Sequence, residues 1–398
     1  MRHSYYTVRS RDVQEHAAGL IENHLPLTDY SATCTIAVML HVLFSAAARL
    51  ISVSAACADL EQAPSDETMR QAVLATLPDY AQLQKDVNRA LVGDLPKPLR
   101  QREQRLAIDL HLVPYYGEAQ EEDKDIYRSK AEKGTNNFYA YASAYVVCKG
   151  QRYTVALTPV ERGETMKEVV QRLLTLARQA SVRPRLLLLD RGFYSVEVIR
   201  YLQAARVPFL MPAVARGKKP HAGQPPTGIR AFQTWKRGGW TEHTLASGKK
   251  KATVLICVYC GDYRGRWKKH GRFAWVYAYW GIRPQSTRWV AETYRQRFSI
   301  ETSYRQLNEA RIKTCTRESR VRFFYVALGL ILRNVWVWLH WEVLSSPRRG
   351  QRQLHLERLR FKTLLEWLQH VAESVLGIHD QTLTERRAKL KFKINLET

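Results

Sequence analysis

Residues 105–116 read RLAIDLHLVPYY, an apolar run of strand type with a single acid, Asp109, in its middle. Aspartate has poor strand propensity, and an unpaired charge inside a sheet is costly, so Asp109 must have a partner or a chemical task. An acidic loop follows at 118–125. Residues 136–150 and 151–160 are then aromatic and β-branched, with a Lys149–Gly150–Gln151 corner that predicts a hairpin. The stretch 165–180, TMKEVVQRLLTLARQA, has the apolar period of an amphipathic helix. Residues 185–189 predict a short buried strand ending on Asp190, 195–205 a second helix and 208–214 a further strand. Three strands followed by helix, strand, helix and strand is the order of an α/β fold of RNase H-like type, a mixed sheet covered by helices.

The flanks divide naturally around this core. Residues 1–100 are helical in pattern, with an apolar run at 36–51 and a helix start at 65–77, SDETMRQAVLATL; Pro78, Pro96 and Pro98 then punctuate. This N-terminal region is either a DNA-end-binding module or a packing bundle. The core occupies 101–214 and resumes at 286–345, where a long helix is expected from about 287 to 313. Between them, 215–285 forms a β-rich insertion with strand-like runs at 251–259 and 272–280, and 346–398 is a second helical region. The helices at 354–376 suit either dimer formation or core packing. The run 323–344 is apolar, but Arg333, Asn334, His340 and Glu342 interrupt it, so a buried helix is expected rather than a membrane span.

Charge names the partner. Lys and Arg total 62 against 37 acids, a net of +25, and such an excess attracts polyanions by releasing their condensed counterions. Residues 215–300 concentrate it: eighteen Lys or Arg face only Glu242, Asp262 and Glu292. Five tryptophans (235, 240, 267, 275 and 280) are interleaved, and cations mixed with flat rings suit unpaired DNA; rings in a β-rich segment also build its core. Lys249, Lys250, Lys251, Lys268 and Lys269 are the candidate phosphate contacts. Trp275 and Trp280, in the strand-like run nearest the following helix, are the candidate base-stacking rings. Six cysteines show no framework spacing, and the chain is too large to need one, so a reduced, cytoplasmic setting is expected. Cys257 and Cys260 form one CxxC inside a strand-like run, without the further ligands that zinc needs. The opening residues, MRHSYYTVRSRDV, are polar, and no secretion signal is expected there.

Asp109, Asp190 and Glu301 come in the order mid-strand, strand end and helix. Transfer of a phosphoryl group to water or to a 3′-hydroxyl uses two hard cations roughly 4 Å apart, and three carboxylates from separate elements suffice to hold them. Tyr294, Arg297, Glu301 and Asn308 are spaced three, four and seven apart and share one helical face, which sets a phosphate clamp beside the acids.

These residues resemble the insertion-sequence DDE transposases that carry a Tyr-x2-Arg-x3-Glu-x6-Lys signature, the YREK group. The blocks LAIDLHLVPYYG, NNFYAYASAYVV, LLLLDRGFYSVEVIRYL and YRQRFSIETSYRQL carry the likeness, over roughly 105–345. The resemblance implies a catalytic and metal-binding triad of Asp109, Asp190 and Glu301 with two Mg²⁺, for which Mn²⁺ substitutes. It implies that Tyr294 and Arg297 hold phosphates near the cut end, and that the insertion covers a flipped base. The expected partners are double-stranded DNA with terminal inverted repeats, target DNA, and a second copy in a homodimeric synaptic complex. The expected reaction is cut-and-paste transposition through a hairpin; a catalytically inactive DNA-binding derivative is the alternative. Asn308 stands where the signature has Lys, and an amide cannot replace that ammonium. Arg305 or Arg311 on the same helix is the candidate substitute.

Overall fold

The computed structural model describes residues 7–120, 122–132, 134–148, 151–221, 223–264, 270–298, 309–348 and 351–380. Its centre is a mixed sheet. Strand β1 (Gln104–Pro114) lies between β3 (Thr135–Cys148), antiparallel to it, and β5 (Pro184–Leu188), parallel to it. β3 carries two strands on its far side: β2 (Ile126–Glu132) along its first half and β4 (Gln151–Pro159) along its second. β6 (Phe209–Pro212) runs parallel beside β5. The order β4-β3-β1-β5-β6, with only β3 reversed, is the expected RNase H-like arrangement.

The insertion joins this sheet instead of forming a layer of its own. β7 (Gly239–Ser247), β8 (Lys250–Arg264) and β9 (His270–Trp280) make an antiparallel meander, and β9 pairs with β6 to give nine strands in one sheet. Two of these strands, β2 and β7, are missing from the sequence reading. Both alternate between partly buried and exposed positions, because each lies at a margin of the sheet and offers little apolar signal.

Alternation along the strands sorts the faces. Leu106, Ile108, Leu187 and Phe209 meet the helices α7 (Met166–Gln179) and α8 (Val196–Ala204) in the main core. α7 starts as its sequence suggests, with Thr165 and Glu168 capping one another reciprocally. Ala107, Leu186, Leu188 and Leu210 face the other way, onto helix α10 (Thr287–Phe298). Asp109 is two residues beyond Ala107 and therefore points to the α10 side.

The N-terminal region folds as α1 (Ser10–Glu22), α2 (Ile36–Arg49), α3 (Val53–Asp59), α4 (Asp66–Thr76), α5 (Tyr80–Val92) and α6 (Lys97–Gln101). After the four-residue α9 (Ile229–Phe232) and α10, two longer helices follow among the described residues: α11 (Ser319–Glu342) and α12 (Phe361–Leu376). α12 spends its apolar face inside the molecule, against α1 and α2, and the Gln62 and Leu376 backbones are hydrogen-bonded at 2.8 Å. Core packing, the second of the two expectations for this region, accounts for its apolar residues. A small hairpin, β10 (Ser346–Arg348) and β11 (Gln351–Gln353), links α11 to α12.

α11 is long and apolar enough to cross a membrane, but 89% of its most apolar window is buried in the protein, as expected of a core helix. Its Asn334 closes the outer edge of the sheet. The side-chain amide accepts from Thr154 N at 2.9 Å and donates to Thr154 O at 2.7 Å and to Leu91 O at 2.9 Å. Asn88 does the same for both backbone groups of Leu157, at 2.8 Å each. Two amides thus satisfy main-chain groups that a further strand would otherwise pair.

The helix expected over 287–313 is shorter. α10 is described to Phe298, and from Glu309 onward the chain is no longer helical: the Lys313 amide donates to Ile51 O at 3.0 Å, beside α2. This segment crosses α11 at Gly329, where an added Cβ would lie 2.3 Å from the Ala310 carbonyl oxygen. Gly329→Ala therefore tests the crossing. Better helix propensity favours alanine by about 1 kcal/mol, while overpacking against main chain costs roughly 1–3 kcal/mol. Thermal melts should show net destabilisation, and an unchanged or higher melting temperature would contradict the close contact.

Candidate active site

Asp109 is almost fully buried in the middle of β1, opposite Ser143 on β3. Its Oδ1 accepts from the Leu110 amide at 2.9 Å. Asp190 is separated from the end of β5 by one residue and opens a short 3₁₀ turn, Arg191–Phe193, with its side chain about half exposed. This is the carboxyl end of a parallel strand, where ligands collect in α/β sheets. Because β1 and β5 are adjacent and parallel, the two acids share one face and one neighbourhood.

α10 brings the third component. Ser286 caps it, its Oγ accepting from Trp289 N at 3.0 Å, and Val290, Ala291 and Tyr294 bury against Cys257 and Tyr277. That seating aims Arg297 inward. Its Nη2 lies 2.9 Å from Asp190 Oδ1 and its Nη1 3.5 Å from Asp109 Oδ2, while its Nε donates to the Tyr294 hydroxyl at 3.0 Å. Burial disfavours the Arg297 charge, but Tyr294 and then the carboxylates of Asp190 and Asp109 outweigh it and raise the pKa above the usual arginine value. Burial likewise pushes the Tyr294 phenol up.

One guanidinium fork thus bridges two carboxylates from different strands. A notch that holds a cation between hard oxygen donors has the chemistry a divalent metal requires, and Asp109 and Asp190 fit as two of its ligands. Glu301, the expected third, lies outside the described residues, as do Arg305, Asn308, Lys268 and Lys269. Among the described residues no set of three His, Cys, Asp or Glu converges.

Residues 100–334, which contain this whole arrangement, match the family model described as Transposase DDE domain. The chain belongs to that family. A piggyBac transposase, solved by cryo-electron microscopy as a synaptic complex with hairpin DNA, is similar in fold. Its TM-score is 0.53 at 10% sequence identity, over 95% of this chain and 82% of that one. No curated protein sequence matches the chain.

The remaining predicted residues of this DDE-domain chain are spread more widely. Trp275 lies on β9 near α10, stacked on Tyr259 at 5.7 Å between ring centres. Trp280 pairs with Phe209 at the start of β6, so it sits toward the end of the sheet away from Asp190. Lys249 lies in the β7–β8 turn and Lys250 and Lys251 open β8, five residues or so below the Leu255–Tyr279 level, and Lys250 Nζ is 3.2 Å from Glu197 on α8. Register therefore separates these lysines from the acids. Cys257 and Cys260 both lie in β8, and the Cys260 thiol donates to the Trp235 carbonyl.

Several site neighbours were not singled out in the sequence. Tyr145 and Arg152 flank the acids on β3 and β4, with the Arg152 guanidinium 4.3 Å over the Tyr145 ring. They help line a small cleft that also takes in His111, Tyr141 and Arg333. Burial and the Arg152 charge push the Arg333 pKa down to about 9. The signal available for Arg152 was its place in an otherwise apolar strand, the same signal that marked Asp109. Trp240 is a further ring: it is 44% exposed on the α10 face and packs edge-on against Tyr279 at 5.7 Å.

Proposed function

We propose that this DDE transposase is a cut-and-paste enzyme of the YREK kind, which nicks the ends of its element, closes a hairpin there and joins the released end to target DNA. The observation that carries this reading is the sharing of Arg297 between Asp109 and Asp190, with Tyr294 beside it. Four of the signature and triad positions thereby meet in one notch. Mg²⁺ bound there would polarise the scissile phosphate and lower the pKa of the attacking water. Asp109 and Asp190, with Glu301, supply the oxygen donors. Asp109 is fixed by its strand and its bond to Leu110 N, and Asp190 stands open enough to meet a phosphate. Arg297 and Tyr294 orient the acids and offer donors to the phosphate oxygens.

In the first step water attacks the end phosphate and a 3′-hydroxyl leaves. In the second that hydroxyl attacks the opposite strand, and hydrolysis of the hairpin frees the end for joining. The piggyBac transposase of similar fold was solved with hairpin DNA, which favours this sequence of steps over direct strand transfer. Two ends must be held together, so a homodimer is the working assembly, acting on DNA in the cytoplasm. The binding-only alternative is disfavoured, since a pure DNA-binding protein gains nothing from two acids held where phosphates would come.

The test is a time course of nicked and hairpin products on duplexes carrying the element's end, for Trp240→Ala, Trp275→Ala and Trp280→Ala. Base–aromatic stacking is worth roughly 1–3 kcal/mol, so loss of the stacking ring slows hairpin closure about tenfold or more while nicking proceeds. Trp240, the most exposed of the three, is expected to behave in this way. A core ring instead lowers the melting temperature and both steps together. If no variant separates the steps, the base-flipping role is wrong.

A further inference from the structure

The parallel strands have a second end. Where β1, β5 and β6 begin and β9 finishes, six arginines line the margin of the sheet: Arg102, Arg105, Arg183, Arg185, Arg206 and Arg283. Backbone contacts place them together. The Gln104 amide donates to the Arg183 carbonyl at 2.8 Å, and a Cβ at Gly281 would lie 3.1 Å from Pro208, which sets the turn to Arg283 beside the residue after Val207. All but Arg105 are exposed, and Arg105 is held toward α10 by donating to Gln296. Burial and the nearby Arg185 charge lower the Arg105 pKa.

Two features separate this margin from ordinary surface charge. Among the described residues none of the six arginines enters an ion pair, whereas Arg70, Arg89 and Lys362 elsewhere are each matched by an acid on their own helix. Glu103 is the only acid in the strand-start segments that carry them. Like charges left unmatched repel one another, and that cost is recovered when an external polyanion binds. The four strands β1, β5, β6 and β9 span three spacings of about 4.8 Å, or roughly 14 Å. Duplex DNA carries one charge per about 1.7 Å of axis, so that length faces about eight phosphates. Arg105 lies four residues before Asp109, about 13 Å along the strand, so a duplex on this margin does not occupy the cleavage notch.

We propose that the strand-start margin is a second binding track for duplex DNA, holding DNA that is not being cut. The track rests on the reading of this chain as a DNA-cutting enzyme but uses none of its cleavage residues. Arginine suits the task, since its guanidinium is weakly hydrated and grips phosphate with two donors.

The experiment uses the full chain and a 30-base-pair duplex of arbitrary sequence, with affinity followed by fluorescence anisotropy across a salt series without divalent metal. Each phosphate contact contributes about 0.9 to the slope of log affinity against log salt, so Arg183→Gln/Arg185→Gln/Arg206→Gln should flatten the slope by about 2.7. Arg70→Gln/Arg89→Gln/Lys362→Gln removes the same net charge from paired positions and should change the slope by less than about one. Replacing the three margin arginines with lysine keeps the charge and should restore most of the slope. Equal flattening in both glutamine triples, or no flattening in the margin triple, overturns the proposal. So does failure of the lysine triple to recover, which would mark a folding role. Cleavage by the margin triple is read separately on an end-bearing duplex. If even the wild-type chain does not cut, the proposed activity fails while the slopes still decide the track.

Discussion

Asp109→Asn and Asp190→Asn will each reduce end cleavage on the order of a thousand-fold while leaving duplex affinity near that of the parent. A metal ion held at a reacting phosphate contributes several kilocalories per mole, and each tenfold in rate is about 1.4 kcal/mol, so losing one ligand charge costs about three powers of ten. Binding is spared because it draws on a basic excess spread through the chain, to which neither acid contributes. Asparagine is nearly the same size as aspartate, so the melting temperature should fall little at half-exposed Asp190. It should shift more at buried Asp109, whose charge is matched by Arg297. Single-turnover nicking beside anisotropy measures both quantities. A near-normal rate from either variant removes that residue from the metal site.

The second large effect belongs to Arg297. Arg297→Ala takes one partner from two carboxylates and from the Tyr294 hydroxyl at once. Breaking a buried pair from one side typically costs 3–5 kcal/mol, so melting should drop by several degrees and cleavage by a hundredfold or more. Non-specific binding should lose at most one phosphate contact, a slope change of about 0.9. Arg297→Lys retains the charge but has a single ammonium, which does not reach Asp109, Asp190 and Tyr294 together. It should therefore regain stability better than it regains rate. Equal, small losses in cleavage and binding would assign Arg297 to general electrostatics instead.

The core was legible in the sequence where burial is complete on both faces. The runs around Asp109 and Asp190 read as strands because every alternate position is apolar, and α7 read as a helix because of its apolar period. Legibility failed at margins. β2 and β7 have one solvated face and one free side, so their patterns look like loop. The extent of α10 was overread because the residues after 308 are apolar and charged in a helix-compatible way. Gly329, on the next helix, is what lets that segment cross. For the site, helical spacing placed Tyr294 and Arg297 on one face, and the structure adds that this face reaches both acids. Tyr145 entered through strand register, a long-range property that no local pattern encodes, whereas Arg152 was marked only by being a charge in an apolar strand. The same register set Lys249, Lys250 and Lys251 apart from the acids they adjoin only in composition.

The seating of α12 between α1 and α2 has a consequence for how the chain comes into being. A ribosome releases residues 10–49 hundreds of residues before Phe361, so the first helices emerge with the cleft that Leu364, Leu365 and Leu368 will fill still open. Folding from the amino end cannot finish its own first layer, and the exposed apolar surface must wait, guarded or at risk of aggregation, until α12 emerges. The catalytic sheet lies between the two halves of that layer. The first layer of the molecule is thus closed only after α12 is made.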